Sequence, residues 1–121
     1  MRIDPGLLPY VDQHSTDVDS PPERVWETLT RLAATLSYFA VGASEEPREL
    51  TLIGAHRFSR YALIFRLDDL GGDRTRLRAE TRAEFPGAKG SVYRALVIGT
   101  RIHVLATRGI LARVKARAEA A

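Results

Sequence analysis

The sequence predicts an α+β domain in which a curved antiparallel sheet packs on a long C-terminal helix. Three observations carry this. Beyond Pro47, three segments alternate apolar and polar residues with a period of two. Ahead of them, Ser20-Pro21-Pro22-Glu23 opens a helix with one apolar face. From Gly87 to Ala121 the apolar residues repeat at helical spacing. A one-sided antiparallel sheet has to cover its apolar face, and a long terminal helix can lie across it.

Taken in order, the first element is an extended run from Tyr10 to Asp19, in which Asp12, His14, Thr16 and Val18 share one face and Val11, Gln13, Ser15 and Asp17 the other. Ser20 then reads as an N-cap, with proline at the first helical position and Glu23 completing a capping box. Val25, Trp26, Leu29 and Leu32 form the buried face of that helix. From Thr30 to Pro47 the pattern weakens: Leu32 to Val41 admits a longer helix, a second short helix or a strand, since alanine and leucine favour the first and Tyr38, Phe39 and Val41 the last.

Strands follow at Glu49 to Ala55, Arg60 to Asp68 and Thr75 to Phe85, the last two joined by an Asp69-Leu70-Gly71-Gly72-Asp73 loop. Tyr61, Leu63, Phe65 and Leu67 make the inner face of one strand; Leu77, Ala79, Thr81, Ala83 and Phe85 make that of the next. Arg78, Glu80, Arg82 and Glu84 alternate on the reverse, where opposite charges neutralise one another across strands. Glu80 and Glu84 are therefore ion-pair partners of arginine, not a catalytic carboxylate pair.

Pro86-Gly87 ends the sheet. At about 100° per residue, Val92, Leu96, Gly99, His103, Ala106, Ile110 and Val114 fall on one line of the last helix, with Arg94, Arg101, Arg108 and Lys115 opposite. His103 thus points towards the core, between two of the smallest residues on that line. Small residues on the facing strand, Ala79, Thr81 and Ala83, make a void beside the imidazole an expectation of the pattern.

With 121 residues, the chain accommodates one domain, residues 1–121, with one core. A hydrophobic content of 45% excludes global disorder. The absence of cysteine removes disulfides, thiolate metal sites and a cysteine nucleophile, and suits a reducing compartment. Met1-Arg2-Ile3-Asp4-Pro5 lacks the apolar core of a signal peptide, and Arg94, Arg101, His103 and Arg108 interrupt the last helix too often for a membrane span. A cytoplasmic protein is the expectation. The net charge of +3 arises from 18 basic and 15 acidic residues, a mixed surface that predicts no specific nucleic-acid partner. Arg113, Lys115 and Arg117 suit the C-terminal end of a helix dipole.

His14 to Val18 run into Ser20-Pro21-Pro22-Glu23-Arg24-Val25-Trp26, and Leu50-Thr51-Leu52 leads through Gly54 and His56 to Tyr61. Leu67, Thr75-Arg76-Leu77 and Ala79-Glu80-Thr81 follow, then Phe85-Pro86-Gly87, Tyr93-Arg94 and Val97 to Arg101. In these stretches the chain resembles the START-like, or SRPBCC, helix-grip superfamily, which includes polyketide cyclases, dehydratases, lipid carriers and hormone receptors. These motifs specify fold far more than chemistry. One departure is the short stretch from Arg31 to Arg48, where the superfamily usually has more chain; the resemblance then implies a smaller sheet, with its cavity opened at one side or closed by a second copy. Val97, Ile98, Val104, Leu105 and Leu111 lie off the central stripe and call for cover from a partner or from the first helix, which makes a homodimer one expectation.

Three functions follow. The first is a carrier or sensor of an apolar or aromatic small molecule, held between sheet and C-terminal helix by Tyr61, Leu63, Phe65, Thr81, Tyr93, Gly99, His103 and Ala106. The second, suggested by the cyclase relatives, is an enzyme with His103 as its catalytic general acid/base. The third is a homodimeric interaction protein without a ligand. His14 and His56 are isolated in sequence and do not predict a metal site, and no nucleotide fingerprint, phosphate loop or nucleophile elbow predicts a cofactor.

Overall fold

The structure, a computed structural model, describes residues 5–36, 39–56, 59–97 and 101–120. After a short 3-10 turn at Pro5–Leu7, the order is β1 (Tyr10–Val18), α1 (Pro22–Ala33), β2 (Ala40–Glu45), β3 (Glu49–His56), β4 (Ser59–Gly71), β5 (Arg74–Glu84), α2 (Gly87–Val97) and α3 (Ile102–Glu119). The five strands form one antiparallel sheet in the order β1-β5-β4-β3-β2. The first strand therefore pairs with the last, and the open stretch after α1 becomes the edge strand β2, exposed along its length.

Period-two alternation sorts the sheet into two faces. Pairing places Leu50 opposite Phe65, Leu52 opposite Leu63, Phe65 opposite Ala79 and Leu67 opposite Leu77, all on the inner face. Val25, Trp26, Leu29 and Leu32 of α1 close over this face as the helical spacing predicts, and Ile110, Leu111, Val114 and Ala118 of α3 complete the cluster. Val25, Phe65, Leu77 and Val114 are fully buried. Each such apolar side chain removed from water contributes about 1.5–3 kcal/mol, which makes this cluster the main source of stability.

On the outer face the charges pair as their alternation predicts. Arg66 bonds Glu49 and Glu80 at 3.0 Å each, Arg82 reaches the other oxygen of Glu80 at 2.5 Å, and Arg78 grips Asp68 through two bonds of 2.7 and 3.0 Å. Glu84 lies 3.8 Å from Arg60.

Three local expectations need correction. Ser20 does not cap α1. Pro21, held extended at φ −70° and ψ 157° by the proline after it, takes the N-cap position, and no side chain caps the helix. Ser20 is instead buried at the end of β1, its carbonyl accepting a 2.8 Å bond from the Thr75 hydroxyl. The β4-β5 loop is tighter than the five-residue segment suggests: β4 runs to Gly71, and Gly72 and Asp73 turn the chain with φ of +61° and +59°. Two successive positive φ values match the twist of the flanking strands.

The third correction concerns the last helix. It is two helices, α2 and α3, and Arg101 at the start of α3 has a left-handed backbone with φ +59° and ψ +24°. That conformation cannot continue an α-helix. α3 packs chiefly on β1 and α1, along one edge of the sheet, instead of across its centre. Its contact face is His103, Thr107, Ile110, Leu111, Val114 and Ala118. Ala106, expected inside, is exposed; Leu111, expected outside, is buried. Val92, also expected on the inward stripe, is 63% exposed in α2.

Candidate functional site

The site is built where the start of α3 crosses the start of β1. β1 contains a bulge between Tyr10 and Asp12: Tyr10 pairs with Arg82, yet Asp12 pairs with Thr81, so Val11 is the extra residue. Without it, Asp12 would oppose Glu80 on the charged outer face. The bulge turns the carboxylate to the inner face beside Thr81, a common use of an extra residue next to a site. From Asp12 onward the alternation sends Asp12, His14, Thr16 and Val18 inward together, since Val18 is fully buried at the end of the same row.

The Asp12 carboxylate joins both histidines of the region. Its Oδ2 is 2.7 Å from His103 Nε2 and 3.2 Å from His14 Nε2. The three side chains are largely enclosed, with 13% of His103, 19% of His14 and 25% of Asp12 exposed. An ionised carboxylate only accepts, so each imidazole presents a proton on Nε2. In the neutral ring this leaves the Nδ1 lone pair of His103 as an acceptor, oriented by the bond on the far side of the ring.

Three polar atoms at this place are buried and have no hydrogen-bond partner among the described residues: His103 Nδ1, Asp12 Oδ1 and Thr81 Oγ1. Buried polar atoms are ordinarily bonded, and leaving one unsatisfied costs about 1–3 kcal/mol. Asp12 and Thr81 are paired across the strands, and Asp12 holds the ring that carries His103 Nδ1, so the three unsatisfied atoms belong to one linked group of side chains. Among the described residues no group of three or more His, Asp or Glu side chains is placed to hold a metal ion.

The sequence-derived residues distribute unevenly around this centre. His103 is in it, and Thr81 stands opposite Asp12. Leu63, opposite Thr81 on β4, and Phe65 are buried in the core cluster. Tyr61 is half-buried one inward position further along β4 and packs edge-to-face on Phe39, ring centroids 5.4 Å apart. Ala106 faces away and lines none of this. Gly99 and the Tyr93 side chain lie outside the described residues. Asp12 and His14 were not anticipated as site residues. Their signal was the β1 alternation itself: the face that ends in apolar Val18 has to be the inner one, and it carries both.

Sheet, bulge and C-terminal helix together define a START-like, helix-grip fold. Solved structures with the same fold include the Zhui aromatase/cyclase from a Streptomyces species, at 13% identity and TM-score 0.60, covering 93% of this chain and 94% of that one. A conserved protein from Geobacillus kaustophilus matches at 14% identity and TM-score 0.58 over 88% and 91% of the two chains. A START superfamily protein from Mycobacterium smegmatis matches at 15% identity and TM-score 0.52 over 87% and 97%. No protein-family model and no curated protein matches the sequence. At these identities the likeness carries the fold and leaves the chemistry to the residues.

Proposed function

We propose that the protein binds an apolar or aromatic small molecule bearing a hydroxyl group, between the sheet and the C-terminal helices. The observation that carries this reading is that His103 Nδ1, Asp12 Oδ1 and Thr81 Oγ1 are buried without partners among the described residues, on three side chains linked by the Asp12–His103 bond and the Asp12–Thr81 pairing, with Leu63 opposite Thr81. Two acceptors and a hydroxyl suit a donor group on the ligand, and the apolar inner face of the sheet suits its body. The START-like fold supports the same reading, since ligand binding is compatible with it.

The test is calorimetric titration with naphthalene and with a naphthol. The naphthol should bind more tightly by about tenfold, the worth of one good buried hydrogen bond. Asp12→Asn and His103→Phe should remove that preference while leaving naphthalene binding in place. No saturable binding of either probe would overturn the proposal.

The Asp12–His103 hydrogen bond favours a second reading, an enzyme in which Asp12 orients His103 and His103 Nδ1 acts as general base on an enolisable substrate. Deuterium uptake from heavy water into an enolisable aryl ketone, lost in His103→Phe, would support it over simple carriage.

A further inference from the structure

The charges of this protein are segregated in a way its net charge of +3 conceals. From Pro86 to Ala121 there are seven basic residues and one acidic residue, Glu119, so the preceding part of the chain is net negative. The two groups of cations are also treated differently. On the sheet, Arg60, Arg66, Arg74, Arg76, Arg78 and Arg82 each hold a carboxylate. Among the described residues of the C-terminal helices, Lys115 is the one cation engaged, with the Asp17 carbonyl and Glu119. Among the described residues, Lys89, Arg94, Arg101, Arg108, Arg113 and Arg117 pair with no acid, and all six are exposed.

Between these cations stand apolar side chains that the core does not use. Ile102 is 60% and Leu105 74% exposed, on the side of α3 opposite His103, Thr107, Ile110 and Val114. At 100° per residue, Ile102, Leu105, Gly109, Ala112 and Ala116 form that outward face, with Arg101 and Arg108 along one margin and Arg113 and Arg117 along the other. Val92 of α2 is 63% exposed between Lys89 and Arg94. An ordinary solvent-facing helix surface mixes both signs of charge; this one has aliphatic residues edged by unpaired cations.

We infer that the outward face of α3 docks on an anionic lipid bilayer, with Ile102 and Leu105 entering the headgroup–acyl boundary and the arginines contacting lipid phosphates. The charge complementarity selects the partner. A face of one sign is attracted to the negative surface of such a membrane, and a helix lying in the interface has cationic margins around an aliphatic strip. Nucleic acid fits less well, because its interfaces bring aromatic platforms and polar side chains to the bases, whereas here the protruding residues are aliphatic. The docking is peripheral: among the described residues no helix is long and apolar enough to cross a membrane.

Flotation with phosphatidylcholine vesicles and with vesicles in which about one-third of the lipid is phosphatidylglycerol tests this. The whole protein should float with the anionic vesicles and not with the neutral ones, and salt should release it. Arg108→Glu with Arg113→Glu should weaken the binding by about twenty-five-fold or more, the effect of losing two cations worth about fivefold each. Leu105→Ser, at an exposed site with an unaltered melting temperature, should also weaken it severalfold. Absence of anionic-vesicle binding overturns the proposal. So does salt-sensitive binding to duplex oligonucleotides or vesicles that Leu105→Ser leaves unchanged, which would mark a general polyanion surface. Sedimentation that shows Leu105→Ser dissociating a dimer, with no vesicle binding, would assign the face to a second copy instead.

Discussion

His103 and Asp12 are 91 residues apart in the chain and meet at 2.7 Å, His103 Nε2 against Asp12 Oδ2. The bond fastens the first turn of α3 to the bulged start of β1, so one contact serves both packing and the site. Asp12→Ala is expected to destabilise the fold by about 1–3 kcal/mol, because it deprives two largely enclosed imidazoles of their acceptor. His103→Ala should add much less in the Asp12→Ala background than alone. Urea unfolding of the four proteins in that cycle measures the coupling; strictly additive effects would show that the pair contributes nothing as a pair.

Acid sensitivity should come from the outer face. Burial alone would raise the Glu80 carboxyl, but the bonds from Arg82 and Arg66 outweigh it and hold its pKa below the ordinary 4.5. A carboxyl depressed on folding stabilises the native state fully above its unfolded pKa and loses that contribution as pH falls through the folded one. Glu80→Gln is therefore expected to be less stable than the parent by about 1–2 kcal/mol at neutral pH. The gap should close progressively below pH 4.5. Denaturation midpoints of both proteins across that range check the sign, and a gap that widens on acidification would refute it.

The orientation of α3 is open to a direct comparison. Leu111 is 3% exposed and Leu105 74%. Leu111→Ala should cost about 2–5 kcal/mol, as buried leucine truncations do, whereas Leu105→Ala should change stability by no more than about 0.5 kcal/mol. Equal costs would contradict the observed face of the helix.

Much of this architecture was legible because short-period alternation survives any tertiary context. Tyr61 to Leu67 and Leu77 to Phe85 show their inner faces in the sequence, and the α1 core residues Val25, Trp26, Leu29 and Leu32 do so at helical spacing. The C-terminal segment was legible only in part. It has apolar residues on both sides, so a stripe through Gly99, His103 and Ala106 fits the period about as well as one through His103, Thr107 and Leu111, and the left-handed backbone of Arg101 at the start of α3 is not signalled by any period. The site was hidden for a different reason. A bulge is a one-residue change of register that no period reveals, and it is what turns Asp12 towards His103. Asp12 and His14 read as polar residues of an edge strand until the helix that covers them is placed.

Thr81 gives the sharpest test of whether the buried polar atoms serve a ligand. Its hydroxyl oxygen is buried without a partner among the described residues, directly across from Asp12. Thr81→Val keeps the shape and removes the unsatisfied group, so it should stabilise the protein by about 1 kcal/mol or more. If the hydroxyl is retained for binding, the same change should weaken a naphthol several-fold more than naphthalene, the usual conflict between stability and function at a site. Ala106→Leu is the control. Because Ala106 is exposed, it should leave both the melting temperature and the two affinities nearly unchanged. A Thr81→Val protein that is more stable yet binds both probes as the parent does would separate the hydroxyl from ligand recognition. The polar contacts would then belong to His103 and Asp12 alone.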